Sequence, residues 1–301
     1  MVFISRVMRA VISKFFCKFR RFCEGRNPAS FAVRHTICSI RSNRSPQSHW
    51  APAFAGATML WGGVVQAACT GTLYLTLDTG HMEPANAIAD ILAKHRIKAT
   101  FFLANEKTKE ITNEKTKSGG FTLDDSQIPF WQRLAKEGHA FGSHTWDHSY
   151  FRGDIGTDKV SYIPWGKTAK EGRTLDRAGI CAELKKSEDR FREMTGRGYD
   201  GLWRAPGGKT TPRVLEYAKS CGYTHVGWAA AGFLGDELSS ETHPNEALLK
   251  RALANLRDGD IMMAHLGIWS RKEPFWPMLD PLIAGLKAKG FCFATIPERK
   301  Q

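Results

Sequence analysis

From residue 71 onward, short apolar runs alternate with stretches whose apolar positions recur every three or four residues, the two periods that separate strands from amphipathic helices. Residues 72–77 predict a strand, and residues 84–96 a helix with Ile88, Ile91 and Leu92 on one face. A second strand is expected over 98–103, followed by a Lys-, Thr- and Gly-rich surface loop over 105–122. Asp124, Asp125 and Ser126 are placed to cap a helix that carries Phe130, Trp131 and Leu134 and stops at Gly138, and residues 139–143 give a third strand. Residues 149–178 have no clear period and read as a long loop over one face, the kind of excursion that serves as a lid or is a disordered insertion. Beyond it, helices are expected over 180–194, 212–221, 245–256 and 280–289, and strands over 201–204, 223–228, 260–264 and 291–295.

Seven strands alternating with helices imply parallel strands joined by right-handed crossovers. No glycine-rich phosphate loop follows the first strand, where Gly80-His81-Met82 stands, so a barrel, complete or not, is favoured over an open nucleotide-binding sheet. In a barrel the residues just past the strands share one face. Those residues are Asp78, His144, Arg204, Trp228 and His265.

The stretch over 143–148, Ser-His-Thr-Trp-Asp-His, adds a second clue. His144 and His148 are four apart, a spacing that on a helical turn would aim both imidazoles one way, and neutral imidazole is a common ligand of zinc-like cations. With ten histidines in the chain the pair alone is weak evidence.

Charge first looks like a nucleic-acid signal, with a formal net charge of +13 over 301 residues. Most of it belongs to residues 1–70, which hold ten Lys/Arg and one acid, Glu24. After residue 70 no basic stripe interleaved with aromatics remains, which argues against a nucleic-acid partner. Residues 51–65 carry no charge and are followed by Val65-Gln66-Ala67, the pattern of a secretory leader cleaved near Ala67 or Ala68. This run is too short and too rich in Gly, Ala and Pro for a membrane span, so no integral membrane association of the mature form is expected. A miscalled start is the alternative, since Glu24-Gly25-Arg26-Asn27-Pro28-Ala29-Ser30 resembles translated interspersed repeats. In either case residues 1–68 are expected to be a targeting or disordered segment and 69–301 the working domain. Four of the seven cysteines, Cys69, Cys181, Cys221 and Cys292, fall in that domain. Disulfides in an oxidising compartment are the favoured reading, with Cys69 and Cys292 as the pair singled out, and four buried thiols are the alternative.

Taken in order, Thr76-Leu77-Asp78-Thr79-Gly80, His144-Thr145-Trp146-Asp147-His148, Arg204-Ala205-Pro206-Gly207-Gly208, Trp228 and Ala264-His265 resemble the five motifs of the polysaccharide deacetylases, the NodB-homology or carbohydrate esterase family 4 enzymes. The resemblance covers about residues 71–296 and is supported by residues 97–102 and by Gly138-His139. It implies an α/β fold, a deformed (β/α) barrel of about seven parallel strands, and hydrolytic removal of N-acetyl groups from a glycan, with peptidoglycan or a chitin-like oligosaccharide as candidate substrates. It also implies a secreted or periplasmic location and a divalent metal, commonly zinc, with cobalt or another divalent ion as alternatives. By resemblance, His144 and His148 hold the metal, Asp78 is the base, His265 the acid, and Arg204 holds Asp78. Trp228, Pro206 and Leu266 are expected to contact substrate, with Trp269 as an alternative to Leu266.

One position departs from the pattern. The family carries a second, metal-binding aspartate after the first, and here that residue is Thr79, whose hydroxyl is a much poorer ligand. Asp147 and Asp236 are the candidate substitutes, and Asp236 is alternatively a support that fixes the tautomer of His265. An active enzyme in which Asp78 touches the metal, an active enzyme with weakly held metal, a non-catalytic glycan-binding protein, and a hydrolase of another amide or an O-acetyl ester all remain open at this level. Oligomeric state is not legible.

Overall fold

The computed structural model describes residues 69–109 and 120–299; the predicted leader over 1–68 lies outside the described residues. Ten strands and six helices follow in the order β1 (Gly71–Asp78), α1 (Ala85–His95), β2 (Thr100–Leu103), α2 (Ile128–Glu137), β3 (Ala140–Ser143), β4 (Tyr150–Ile155), β5 (Lys159–Ile163), β6 (Arg173–Leu175), α3 (Arg177–Thr195), β7 (Leu202–Trp203), α4 (Pro212–Ser220), β8 (Thr224–His225), α5 (Asn245–Asn255), β9 (Ile261–His265), α6 (Leu279–Ala288) and β10 (Phe291–Phe293). All seven expected parallel strands are present, and they form one curled sheet in which every pairing is parallel.

Strand β1 is the axis of this sheet. Its first residues pair with β10, residues 74–78 with β9, and residues 76–78 with β2. Leu73, Leu75 and Leu77 are fully buried, and so is Thr76 between them, whose hydroxyl is satisfied by donating to Met262 O at 2.6 Å. Burial on both faces is what a parallel strand covered by helices requires. The sheet does not close as a ladder between β8 and β9. Residues 227–234 fill that gap, with Ala229 N donating to Ile261 O and a single bridge between Phe233 and Met263.

Helix limits follow local chemistry. Gly138 (φ +84°) and Gly196 (φ +75°) end α2 and α3 in the left-handed region, where an L side chain would be strained. Asp176 and Thr211 cap α3 and α4 by accepting from Gly179 N and Val214 N.

Residues 149–178 depart from the expected loop. They form a three-stranded antiparallel sheet, β4-β5-β6, whose Phe151, Val160 and Tyr162 pack on Ile180, Leu184, Trp203 and Val214 in a second apolar core. The segment is thus anchored to the rest of the domain through these three side chains.

Both disulfides of the described chain join elements far apart in sequence. Cys69 bonds Cys292, as singled out from the sequence, and ties the entrance of β1 to β10; Cys181 bonds Cys221 and ties α3 to the end of α4. Because the first bridge closes a span of 223 residues, it removes much freedom from the unfolded chain. Replacing both Cys69 and Cys292 by serine is expected to lower unfolding stability by about 2–5 kcal/mol in equilibrium denaturation. An unchanged denaturation midpoint would show that the bridge contributes nothing.

Candidate active site

The strand ends do converge. Asp78 is the last residue of β1 and His265 the last of β9, and the two are register partners in the parallel ladder. His144 follows β3, Arg204 follows β7, and Trp228 lies three residues past β8. Asp78, His144, His148, Trp228 and His265 line one cleft of ≈ 260 Å³.

At the floor, Arg204 is fully buried and donates from one terminal nitrogen to Asp78 Oδ1 at 2.8 Å. Its Nε and its other terminal nitrogen donate to Val226 O (3.0 Å) and Gly227 O (3.1 Å), and its plane lies over the rings of Phe102 and Trp228. A guanidinium held on this many points has one orientation, so it aims the carboxylate as well as neutralising it. Burial opposes ionisation of Asp78, but the charge of Arg204, aided by His144 and His265, holds its pKa below the ordinary range. The other carboxylate oxygen, Oδ2, faces His144 Nε2 at 3.7 Å, beyond hydrogen-bond length.

His144 Nδ1 is 3.0 Å from Arg204 O, a contact that requires the proton on Nδ1 and leaves Nε2 with its lone pair. Burial pushes the pKa of His144 down to about 3, the attraction of Asp78 notwithstanding, so the ring is neutral. His148 is also buried, which lowers its pKa against the opposing pull of Glu106, and its Nδ1 has no hydrogen-bond partner among the described residues. The two rings meet edge to face at 4.8 Å between centroids. They are not on a helical turn as the spacing implied. Residues 144–149 are an irregular bend in which Thr145 (φ +61°) and His148 (φ +47°) occupy the left-handed region. That conformation costs free energy in a β-branched residue and recurs at functional sites. Ser149 N donating to Thr145 Oγ1 at 2.8 Å helps to hold it.

On the opposite side, His265 Nδ1 faces both oxygens of Asp236 at 3.1 and 3.2 Å, and His265 N donates to Asp236 Oδ2 at 2.7 Å. Burial disfavours the imidazolium, yet Asp236, with lesser help from Asp78 and Glu237, outweighs it and raises the pKa to about 9. In this structure both oxygens of Asp236 are thus engaged with His265. Asp147 lies elsewhere: its carboxylate is 3.8 Å from Arg173, and its backbone N donates to Glu183.

Two of the expected substrate contacts, Leu266 and Pro206, do not line the cleft. Leu266 is fully buried in the main core, because its place after β9 turns it inward, and residues 267–270 form the cleft wall instead, with Trp269 half exposed at 52%. Pro206 is buried in the turn after β7, and Gly207 lines the cleft in its place. Gly208 supports Trp228 from below, since a Cβ there would lie 2.6 Å from the indole. A larger hollow of ≈ 510 Å³ adjoins the cleft, sharing His265 and residues 267–269 and adding Trp276.

The residue that sequence reasoning missed is Glu106. It lies three residues beyond the end of β2, is only 5% exposed, lines the cleft, and accepts from the Thr79 hydroxyl at 2.6 Å. A carboxylate within a Lys- and Thr-rich stretch gives no periodic signal. The donor set fits a divalent cation in its chemistry: two neutral imidazoles, one with an unpartnered buried nitrogen, share a cleft with carboxylates. Among the described residues, however, no three His, Cys, Asp or Glu side chains already stand grouped to hold an ion.

Comparison with known proteins agrees with this arrangement. Residues 66–226 match the family model described as polysaccharide deacetylase. The chain is 24% identical over 237 residues to a chitooligosaccharide deacetylase of Azorhizobium caulinodans, covering 75% of this chain and 93% of that one. It is 27% identical over 231 residues to a peptidoglycan-N-acetylmuramic acid deacetylase of Bacillus subtilis, covering 75% and 70%. The fold resembles that of a family 4 acetyl xylan esterase from Clostridium thermocellum solved in complex with cobalt, with a TM-score of 0.54, 20% identity, and coverage of 75% of this chain and 89% of that one. With more than half of the sequence inside the family model and the same curled parallel sheet, the chain belongs to the polysaccharide deacetylase family.

Proposed function

We propose that the protein is a metal-dependent hydrolase that removes N-acetyl groups from a glycan. The observation that carries this reading is the pairing of opposite roles across one cleft: an ionised, arginine-held carboxylate at Asp78 and a protonated imidazole at His265. Amide hydrolysis needs a base on the attacking water and an acid on the leaving nitrogen. His144 and His148 would hold the metal, which when bound supplies a Lewis acid for the acetyl carbonyl and lowers the pKa of water.

The chain's own residues account for the proton movements. Asp78 takes a proton from water as its oxygen adds to the acetyl carbon. Arg204 keeps Asp78 ionised and aimed while this happens. As the carbon–nitrogen bond breaks, His265 delivers its Nε2 proton to the amine, and acetate and the free amino sugar leave. Asp236, on Nδ1, keeps the imidazole turned so that Nε2 is the delivering nitrogen. Trp228 and Trp269 offer faces on which a sugar ring can stack.

The names of the relatives support an N-acetylated glycan as substrate, with chitin-like and peptidoglycan strands as the two candidates. Two disulfides support an extracytoplasmic location, secreted or periplasmic, and no helix among the described residues is long and apolar enough to cross a membrane. The test is release of acetate from N-acetylated chitooligosaccharides and from peptidoglycan fragments with added zinc or cobalt, read by product mass. His144→Ala is expected to abolish turnover. Binding of the glycan without any acetate release would instead favour a non-catalytic glycan-binding protein, the reading to which Thr79 lends weight.

A further inference from the structure

Glu106 is a buried carboxylate with no ion-pair partner among the described residues. Its residue is 5% exposed, and among the described residues no Lys, Arg or His lies within ion-pair distance. A buried carboxylate in that condition is costly unless something else compensates it. Its backbone is nonetheless held firmly, with Glu106 N donating to Thr122 Oγ1 at 3.1 Å and Thr122 N donating to Glu106 O at 2.9 Å.

Thr79 directs the side chain. Its oxygen accepts from Ala104 N at 3.1 Å, so the hydroxyl proton is aimed at Glu106 Oε1, 2.6 Å away. In the same cleft His148 Nδ1 is buried and unpartnered. A buried carboxylate thus shares a cleft with two imidazoles, one of which has an unpartnered buried nitrogen, and a divalent cation would take all three as ligands.

We propose that Glu106 completes the cation site of His144 and His148, and that Thr79 is the positioning residue that presents it. This rests on the metal-dependent reading above and names the missing carboxylate within it. Since no three such side chains are yet grouped, loading would draw Glu106 toward the histidines by rotation of its side chain, its backbone staying clamped by Thr122.

The experiment is metal affinity of the full chain, stripped by chelation and titrated with Zn²⁺ and Co²⁺ by calorimetry, the cobalt also by visible absorption. Glu106→Gln is expected to weaken both by at least about 100-fold, more than loss of a supporting hydrogen bond does, and Thr79→Val by about 10-fold. The double variant Thr79→Asp with Glu106→Gln should regain most of the affinity. Stripped Glu106→Gln should melt no lower than the stripped parent, because glutamine keeps the shape and the acceptor for the Thr79 hydroxyl, while gaining less from added zinc.

If His144→Ala loses metal and Glu106→Gln keeps it, the assignment of Glu106 is overturned and the histidine site stands. A stripped Glu106→Gln protein that melts well below the parent but binds metal normally gives Glu106 a purely structural role, which also overturns the proposal. If His144→Ala binds as tightly as the parent, the metal site itself is wrong.

Discussion

Asp78→Asn is expected to lower kcat/KM on an N-acetylated chitooligosaccharide by about 10²- to 10⁴-fold, the usual worth of a positioned general base. The substitution keeps the shape and the hydrogen bond from Arg204 but removes the only carboxylate within ion-pair distance of that guanidinium among the described residues. Since Arg204 is fully buried, it would be left as an uncompensated charge, and the folded state is expected to lose about 3–5 kcal/mol as well. The two losses can be separated. Adding Arg204→Met to Asp78→Asn removes the stranded charge and should restore much of the stability without restoring turnover. Denaturant unfolding and acetate release on the same three proteins provide the check. A single variant that keeps full activity would remove Asp78 from the role of base.

The second large effect is on pH. With His265 raised to about 9, its proton is available throughout the neutral range, so turnover is expected to hold there and to fall as pH passes about 9. Asp236→Asn removes the main group that outweighs burial, so the alkaline limb should move down by more than one pH unit, while the substrate KM changes little. His265→Ala should cost about 10²- to 10⁴-fold in kcat. The same linkage acts on the fold. A histidine whose folded pKa lies above its ordinary value of 6.5 contributes stability that is fully present below 6.5 and fades as pH rises through about 9. Parent and Asp236→Asn should therefore differ more in melting temperature at pH 6 than at pH 10. A pH–rate profile that ignores Asp236→Asn would count against His265 as the acid.

Much of the frame was legible because it rests on local chemistry. Asp78, His144, Arg204 and His265 are each the last residue of a strand or close behind it, and the parallel topology alone sends them to one end. What escaped notice was set by contacts distant in sequence. The sheet over 149–178 hides its period because the register slips between Phe151 and Gly153, so the two-residue alternation is broken where it would be read. The bend of residues 144–149 depends on left-handed residues that the spacing of two histidines cannot reveal. Glu106 meets the cleft through a hydrogen bond from Thr79, 27 residues away. Leu266 and Pro206 stand beside site residues in sequence, yet the chain's direction after each strand brings their neighbours to the cleft instead.

The ladder between β1 and β9 has a bearing on how such a protein can change. Asp78 and His265 are opposite each other in it, and the pairing continues past them as Leu266 N donates to Asp78 O at 2.9 Å and Met82 N to Leu266 O at 2.8 Å. Gly80 and Gly267 are pressed so close that a Cβ on Gly80 would lie 2.0 Å from Gly267 O. The distance between the two proposed proton-transfer groups is therefore a spacing of the backbone lattice. Trp165, Trp228, Trp269 and Trp276, by contrast, are carried on segments outside that lattice. Selection could recut those walls for a new sugar, one loop at a time, while the reaction's own ruler stayed the same length.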